Sequence, residues 1–157
     1  MNISFHLEYQ GWIDIGFRNE EKELLIPGSF LTDFINELIN RISTLAEGSN
    51  EVIIRVQTEP GEYRIQIIQE NFDCRLKVFE YEDNFSTDDL EEGLCVFEDV
   101  LKLNKFFNMI YREITKLRDL GNEEYSRLWG IDFPETAYQR LTRAKEFIKM
   151  KMKDNDC

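Results

Sequence analysis

A chain of 157 residues with 31 acidic and 19 basic side chains, net charge −12, lacks the basic surplus that binding to nucleic acid or an anionic membrane requires. Its 42% hydrophobic and 13% aromatic content supplies one core, and a single domain of this length buries roughly 70% of its unfolded surface. The charge is uneven: residues 1–100 hold 22 acidic and 7 basic residues, residues 101–157 hold 9 and 12, and Glu82–Asp99 has eight carboxylates and no Lys or Arg.

The chain begins as a hairpin. Ile3, Phe5, Leu7 and Tyr9 alternate with polar residues, and after Gly11 so do Ile13, Ile15 and Phe17. Glu20–Glu23 reads as a charged turn and Leu24–Ile26 as a short apolar link. Pro27-Gly28-Ser29 then opens a helix with Phe30, Leu31, Phe34, Ile35, Leu38, Ile39, Ile42 and Leu45 on one face, closed by Gly48.

A second run of strands follows. Val52, Ile54 and Val56 lead into Glu59-Pro60-Gly61-Glu62, whose proline and glycine suit a type II turn. Tyr63, Ile65 and Ile67 continue the inward face, with Arg64 and Gln66 outward. Asn71-Phe72-Asp73 turns the chain into a strand over Cys74–Tyr81. An acidic loop spans Glu82–Glu92, and Leu94–Phe97 adds a further strand.

From about Asp99 the period lengthens to 3.6. Leu103, Phe106, Phe107, Ile110, Ile114 and Leu117 form an amphipathic stripe ending at Leu120-Gly121. Glu123–Trp129 is a short helical turn stopped by Gly130. Pro134 starts the last helix, marked by Ala137, Leu141, Ala144, Ile148 and Met152. The pattern predicts a two-layer α+β domain over residues 1–153, with a mainly antiparallel sheet, one inserted helix and C-terminal helices, and a disordered tail at 154–157.

Catalytic and cofactor chemistry finds little footing. His6 is the sole histidine and shares its strand face with Ser4 and Glu8, so a Ser-His-Asp triad would have to use it. Cys74, Cys95 and His6 lack zinc spacing, and the glycines lie singly rather than in a phosphate loop. No catalytic residue, metal site or cofactor is therefore assigned. Three unpatterned cysteines, no signal peptide and no transmembrane run point to a reducing, cytoplasmic setting.

Charge suggests binding. Glu82, Asp83, Asp88, Asp89, Glu91 and Glu92, with Phe85 as an apolar anchor, form the candidate surface for a basic partner protein. Arg55, Arg64, Arg75 and Lys77 gather on the outward face of the sheet, where pairing with Glu51, Glu62, Glu70 or Glu80 is expected. The basic last helices offer a second partner class, another copy of the chain. A carboxylate-based enzyme or small-ligand protein, with Asp14, Glu62 or Tyr63 in a cleft between sheet and helices, is the alternative.

Two stretches carry a resemblance: Thr58-Glu59-Pro60-Gly61-Glu62-Tyr63-Arg64 and Gly121…Tyr125…Trp129-Gly130…Phe133-Pro134. Together they resemble a group of small, acidic, uncharacterised bacterial proteins found mostly in Gram-positive species. Both are turn and packing motifs, so the resemblance implies no site residues. In size and acidity the chain is also similar to immunity proteins of bacterial toxin systems, which implies neutralisation of a basic toxin without catalysis.

Overall fold

The computed structural model describes residues 1–82 and 90–155. It is an α+β fold with two antiparallel sheets and four helices. The first sheet has the order β1 (Asn2–Tyr9), β2 (Trp12–Arg18), β3 (Glu23–Ser29). The second has the order β4 (Glu51–Gln57), β5 (Glu62–Glu70), β6 (Asp73–Tyr81), β7 (Leu94–Lys102). Helix α1 (Phe34–Ala46) joins the two, and α2 (Leu103–Arg118), α3 (Asn122–Trp129) and α4 (Glu135–Asn155) complete the chain. The predicted single sheet is thus two.

Alternation in β1 and β2 places Phe5 opposite Ile15 and Leu7 opposite Ile13, both pairs buried. The predicted link at Leu24–Ile26 is part of a full strand. Pro27, Gly28 and Ser29, expected to open the helix, complete β3 instead, pairing with Asp14, Ile13 and Trp12. Proline is tolerated there because β3 is an edge strand and need not donate on its open side. Gly28 sits in a tight place: a Cβ on it would lie 3.1 Å from both Ile13 Cγ2 and Val56 Cγ1 and would push those side chains back by a few tenths of an ångström, so the glycine eases the close approach of the two sheets. Phe30 and Leu31 consequently sit in a turn, exposed, rather than on the helix face.

The helix starts where a cap is available. Asp33 Oδ1 accepts the Asn36 N–H at 3.3 Å, and the same oxygen accepts Trp129 Nε1–H at 3.0 Å. Trp129 is fully buried and meets Phe30 edge-on, ring centroids 4.9 Å apart. Nearby, the Gly11 N–H donates to Leu128 O at 2.8 Å, tying the first hairpin turn to α3.

Ile3, Phe5 and Phe17 of the first sheet, Ile65, Ile67 and Leu76 of the second, Leu38 and Ile42 of α1, and Phe106 and Ile110 of α2 converge around one apolar point. Each such side chain contributes roughly 1.5–3 kcal/mol of burial. The open edge of β1 is sheltered by α2: buried Glu113 accepts the Phe5 N–H at 3.1 Å and pairs with Lys116 Nζ at 2.9 Å. Helix α4 packs on α1 and α2, with Arg140 Nε donating to Glu47 at 2.8 Å and Tyr138 stacked on Tyr111.

Two further boundaries move. Residues 99–102 are strand, not helix, because β7 pairs through Lys102 opposite Asp73; the Leu103 N–H then bonds Phe72 O at 2.8 Å as α2 begins. In the β4–β5 turn Gly61 has the expected positive φ, +106°, yet the turn is not type II. It closes from Thr58 to Gly61, by Thr58 N–H donating to Gly61 O at 3.0 Å, so Pro60 is its third residue, and the Glu59–Pro60 peptide is cis.

Candidate functional site

The four-stranded sheet brings separate acidic stretches to one of its ends. Register pairs Gln57 with Glu62, Glu62 with Tyr81, and Glu80 with Leu94, so the β4–β5 turn, the end of β6 and the start of β7 are neighbours. Glu59, Glu80, Glu82, Glu91 and Glu92 are all exposed there. Leu94 stands among them, 68% exposed. Of the sequence-predicted residues, Glu82, Glu91 and Glu92 are brought together; Asp83, Phe85, Asp88 and Asp89 lie outside the described residues. From the sequence Glu59 reads as a turn residue, Glu80 as a cross-strand pairing residue and Leu94 as a strand residue inside the acidic stretch. Their strand-end positions become neighbours only once the pairing register is known.

Two contacts shape this end. The segment Leu90–Glu92 forms a 3-10 turn closed by the Gly93 N–H donating to Leu90 O at 3.1 Å. Gly93 lies against the Tyr81 ring: a Cβ there would sit 2.6 Å from Tyr81 Cζ. Only glycine lets β7 start this close to the ring. On the other side, the Tyr63 hydroxyl donates to Glu80 Oε2 at 3.1 Å. Partial burial, then that hydrogen bond and the Glu80 charge, raise the Tyr63 phenol above its ordinary range.

At the same end, on the sheet face opposite Glu80 and Leu94, lies a buried ionic cluster. Arg64 Nε donates to Glu62 Oε2 at 2.6 Å, with side-chain exposures of 2% and 1%. Gln57 Nε2 donates to Glu62 Oε1 at 2.9 Å, and the Arg64 guanidinium lies 4.4 Å from the centroid of the Tyr81 ring. The alternation rule correctly turns Glu62 and Arg64 away from the core. It carries no signal for their burial, because that depends on what covers the outward face.

Of the other pairings expected for the outward face, that of Arg75 with Glu70 forms, while Glu51 is taken by Gln66 and Glu80 by Tyr63. Arg55 is in register with Arg64, and Lys77 with Gln66. Arg75 reaches Glu98 at 3.2 Å and Glu70 at 3.5 Å, while Gln66 donates to Glu51 at 2.8 Å.

Enzyme-like constellations do not assemble among the described residues. His6 stands opposite Asp14 in register, but it is exposed, its Nε2 is 3.6 Å from Glu8 Oε1, and it makes no hydrogen bond to Ser4 or Asp14. Asp14 belongs to the first sheet, whereas Glu62 is locked in its ion pair and Tyr63 is tied to Glu80. Cys74 is buried, and desolvation, followed by the charges of Asp73 and Asp99, pushes its thiol up to about 12; Cys95 is exposed. Among the described residues no group of three or more His, Cys, Asp or Glu converges to hold a metal ion, and no helix is long and apolar enough to cross a membrane.

No protein-family model, curated protein or solved structure matches this chain.

Proposed function

We propose that this protein acts by binding, with the acidic end of the four-stranded sheet docking a cationic partner protein. The observation that carries this reading is that register brings exposed Glu59, Glu80, Glu82, Glu91, Glu92 and Leu94 to one end of the sheet. Carboxylates accelerate encounter with a basic surface and set its orientation, and an apolar side chain among them supplies contact that water would otherwise hold. In its sharper form the reading is an immunity- or antitoxin-like neutraliser of a basic toxin in the bacterial cytoplasm, in keeping with the likeness in size and acidity and with the lack of paired cysteines among the described residues.

The test compares the parent with a variant carrying Glu59→Gln, Glu82→Gln, Glu91→Gln, Glu92→Gln and Leu94→Ser. Affinity capture identifies a basic partner held by the parent, and stopped-flow association is then measured at low and high salt. The parent's association rate should fall about 10-fold or more as salt rises, and the variant should associate slowly at both. A partner that both proteins hold equally, or whose association ignores salt, overturns the proposal.

A further inference from the structure

A groove of about 580 Å³ opens at the opposite end of β7, between that strand and α2. Its walls are Asp73 and Asp99–Lys102 on the sheet side and Lys105, Asn108, Met109 and Arg112 on the helix side, with Met1 also in the lining. The volume falls within the range of small-molecule sites. The four helix residues stand at i, i+3, i+4 and i+7, so they form one stripe, with Lys105 and Arg112 about 10 Å apart along the axis.

The charges in the groove do not cancel. Asp73 Oδ1 is paired with Lys102 Nζ at 3.0 Å; Asp99 accepts the Val100 N–H at 2.7 Å and keeps its single negative charge, against the two cations Lys105 and Arg112. Glu113, 3.9 Å from Arg112 Nε, already serves the Phe5 N–H and Lys116 at shorter distances. Lys105 and Arg112 are exposed and left as the positive ends of the stripe. Between them Met109 faces the same space as Leu101 and Val100, the last 47% exposed. In a chain of net charge −12, this is a cationic, apolar-floored hollow.

We infer that this groove binds a small organic anion: an apolar body lies along Val100, Leu101 and Met109, and its phosphate or carboxylate is held by Lys105 or Arg112. Neither half suffices. A bare inorganic anion leaves the apolar wall wet, and a neutral apolar molecule leaves both cations solvated. The site is separate from the acidic rim and takes ligands of the opposite charge.

Phenyl phosphate serves as the probe, with inorganic phosphate and benzyl alcohol as its separated halves, each titrated into the 15N-labelled protein. Phenyl phosphate should give saturable amide shifts at Val100, Lys105, Met109 and Arg112, binding at least 5-fold tighter than either half. Lys105→Glu and Arg112→Glu should each weaken it 5-fold or more, while Lys149→Glu on α4 leaves it unchanged. Both reversals are at exposed positions, and Lys105→Gln and Arg112→Gln repeat the test should either lower the thermal midpoint. Absence of saturable shifts, shifts insensitive to both substitutions, or inorganic phosphate binding as tightly as phenyl phosphate overturns the inference.

Discussion

The two antiparallel sheets share one alternation rule and treat their outward faces differently. In the first sheet Ser4, His6 and Glu8 simply meet water. In the second, Glu62 and Arg64 occupy equivalent outward positions and are almost fully buried. The first sheet places its buried carboxylate at an edge, where Glu113 of α2 answers the Phe5 N–H; the second places one on its face. An outward position in a strand pattern therefore fixes a direction and leaves the dielectric open. The energetic weight of a charge follows the dielectric.

Substitutions can break this contrast. The largest effect is expected for Arg64→Met, which leaves the Glu62 carboxylate buried without its guanidinium and should cost about 3 kcal/mol in urea unfolding. Adding Glu62→Leu to that variant should recover at least half of the loss, since an apolar pair of similar volume needs no compensation. If the double variant is no better than the single, the pair is not the source. Glu113→Ala is next, at about 2 kcal/mol, because it strands a buried backbone donor on β1; hydrogen exchange at the Phe5 amide should quicken with it. His6→Ala, at an equivalent outward position of the first sheet, should change stability by less than about 0.5 kcal/mol. A loss above 1 kcal/mol there would erase the distinction between the sheets.

A chemical probe sharpens the contrast between the faces of the second sheet without any loss of stability. In a Cys157→Ser background at pH 8, Ellman's reagent should titrate Cys95 promptly. Cys74, its thiol raised to about 12, is roughly 10⁻⁴ ionised at that pH and shielded, so it should react only as denaturant opens the core. Equal reaction of both thiols in the native protein would contradict the placement of Cys74 on the inward face.

Much of this architecture was legible in residue patterns. Period-two runs located β1, β2, β4, β5 and β6, and the 3.6 period from Leu103 located α2. The errors cluster where tertiary packing outweighs local preference. Pro27-Gly28 looks like a helix start, but in the fold Gly28 fits closely against Val56 across the sheets, which no local window reveals. Asp99–Lys102 reads as a helix entry until pairing with β6 is known. For the candidate site, charge density marked Glu82, Glu91 and Glu92, with Leu94 in the same stretch, while Glu59 and Glu80 join them only through strand register.

The bond between Trp129 and Asp33 spans 96 residues, and that between Glu113 and the Phe5 amide spans 108. On the ribosome, at about 5–20 residues per second, the first sheet would wait roughly 5–20 s after emerging before α2 and α3 exist to meet it. During that interval β1 has an open edge and α1 has a cap without its indole partner. The interval is a window for chaperone capture or strand-to-strand mispairing. Slowing translation between residues 34 and 113 should lengthen that window and lower soluble yield, without changing a single contact of the finished protein.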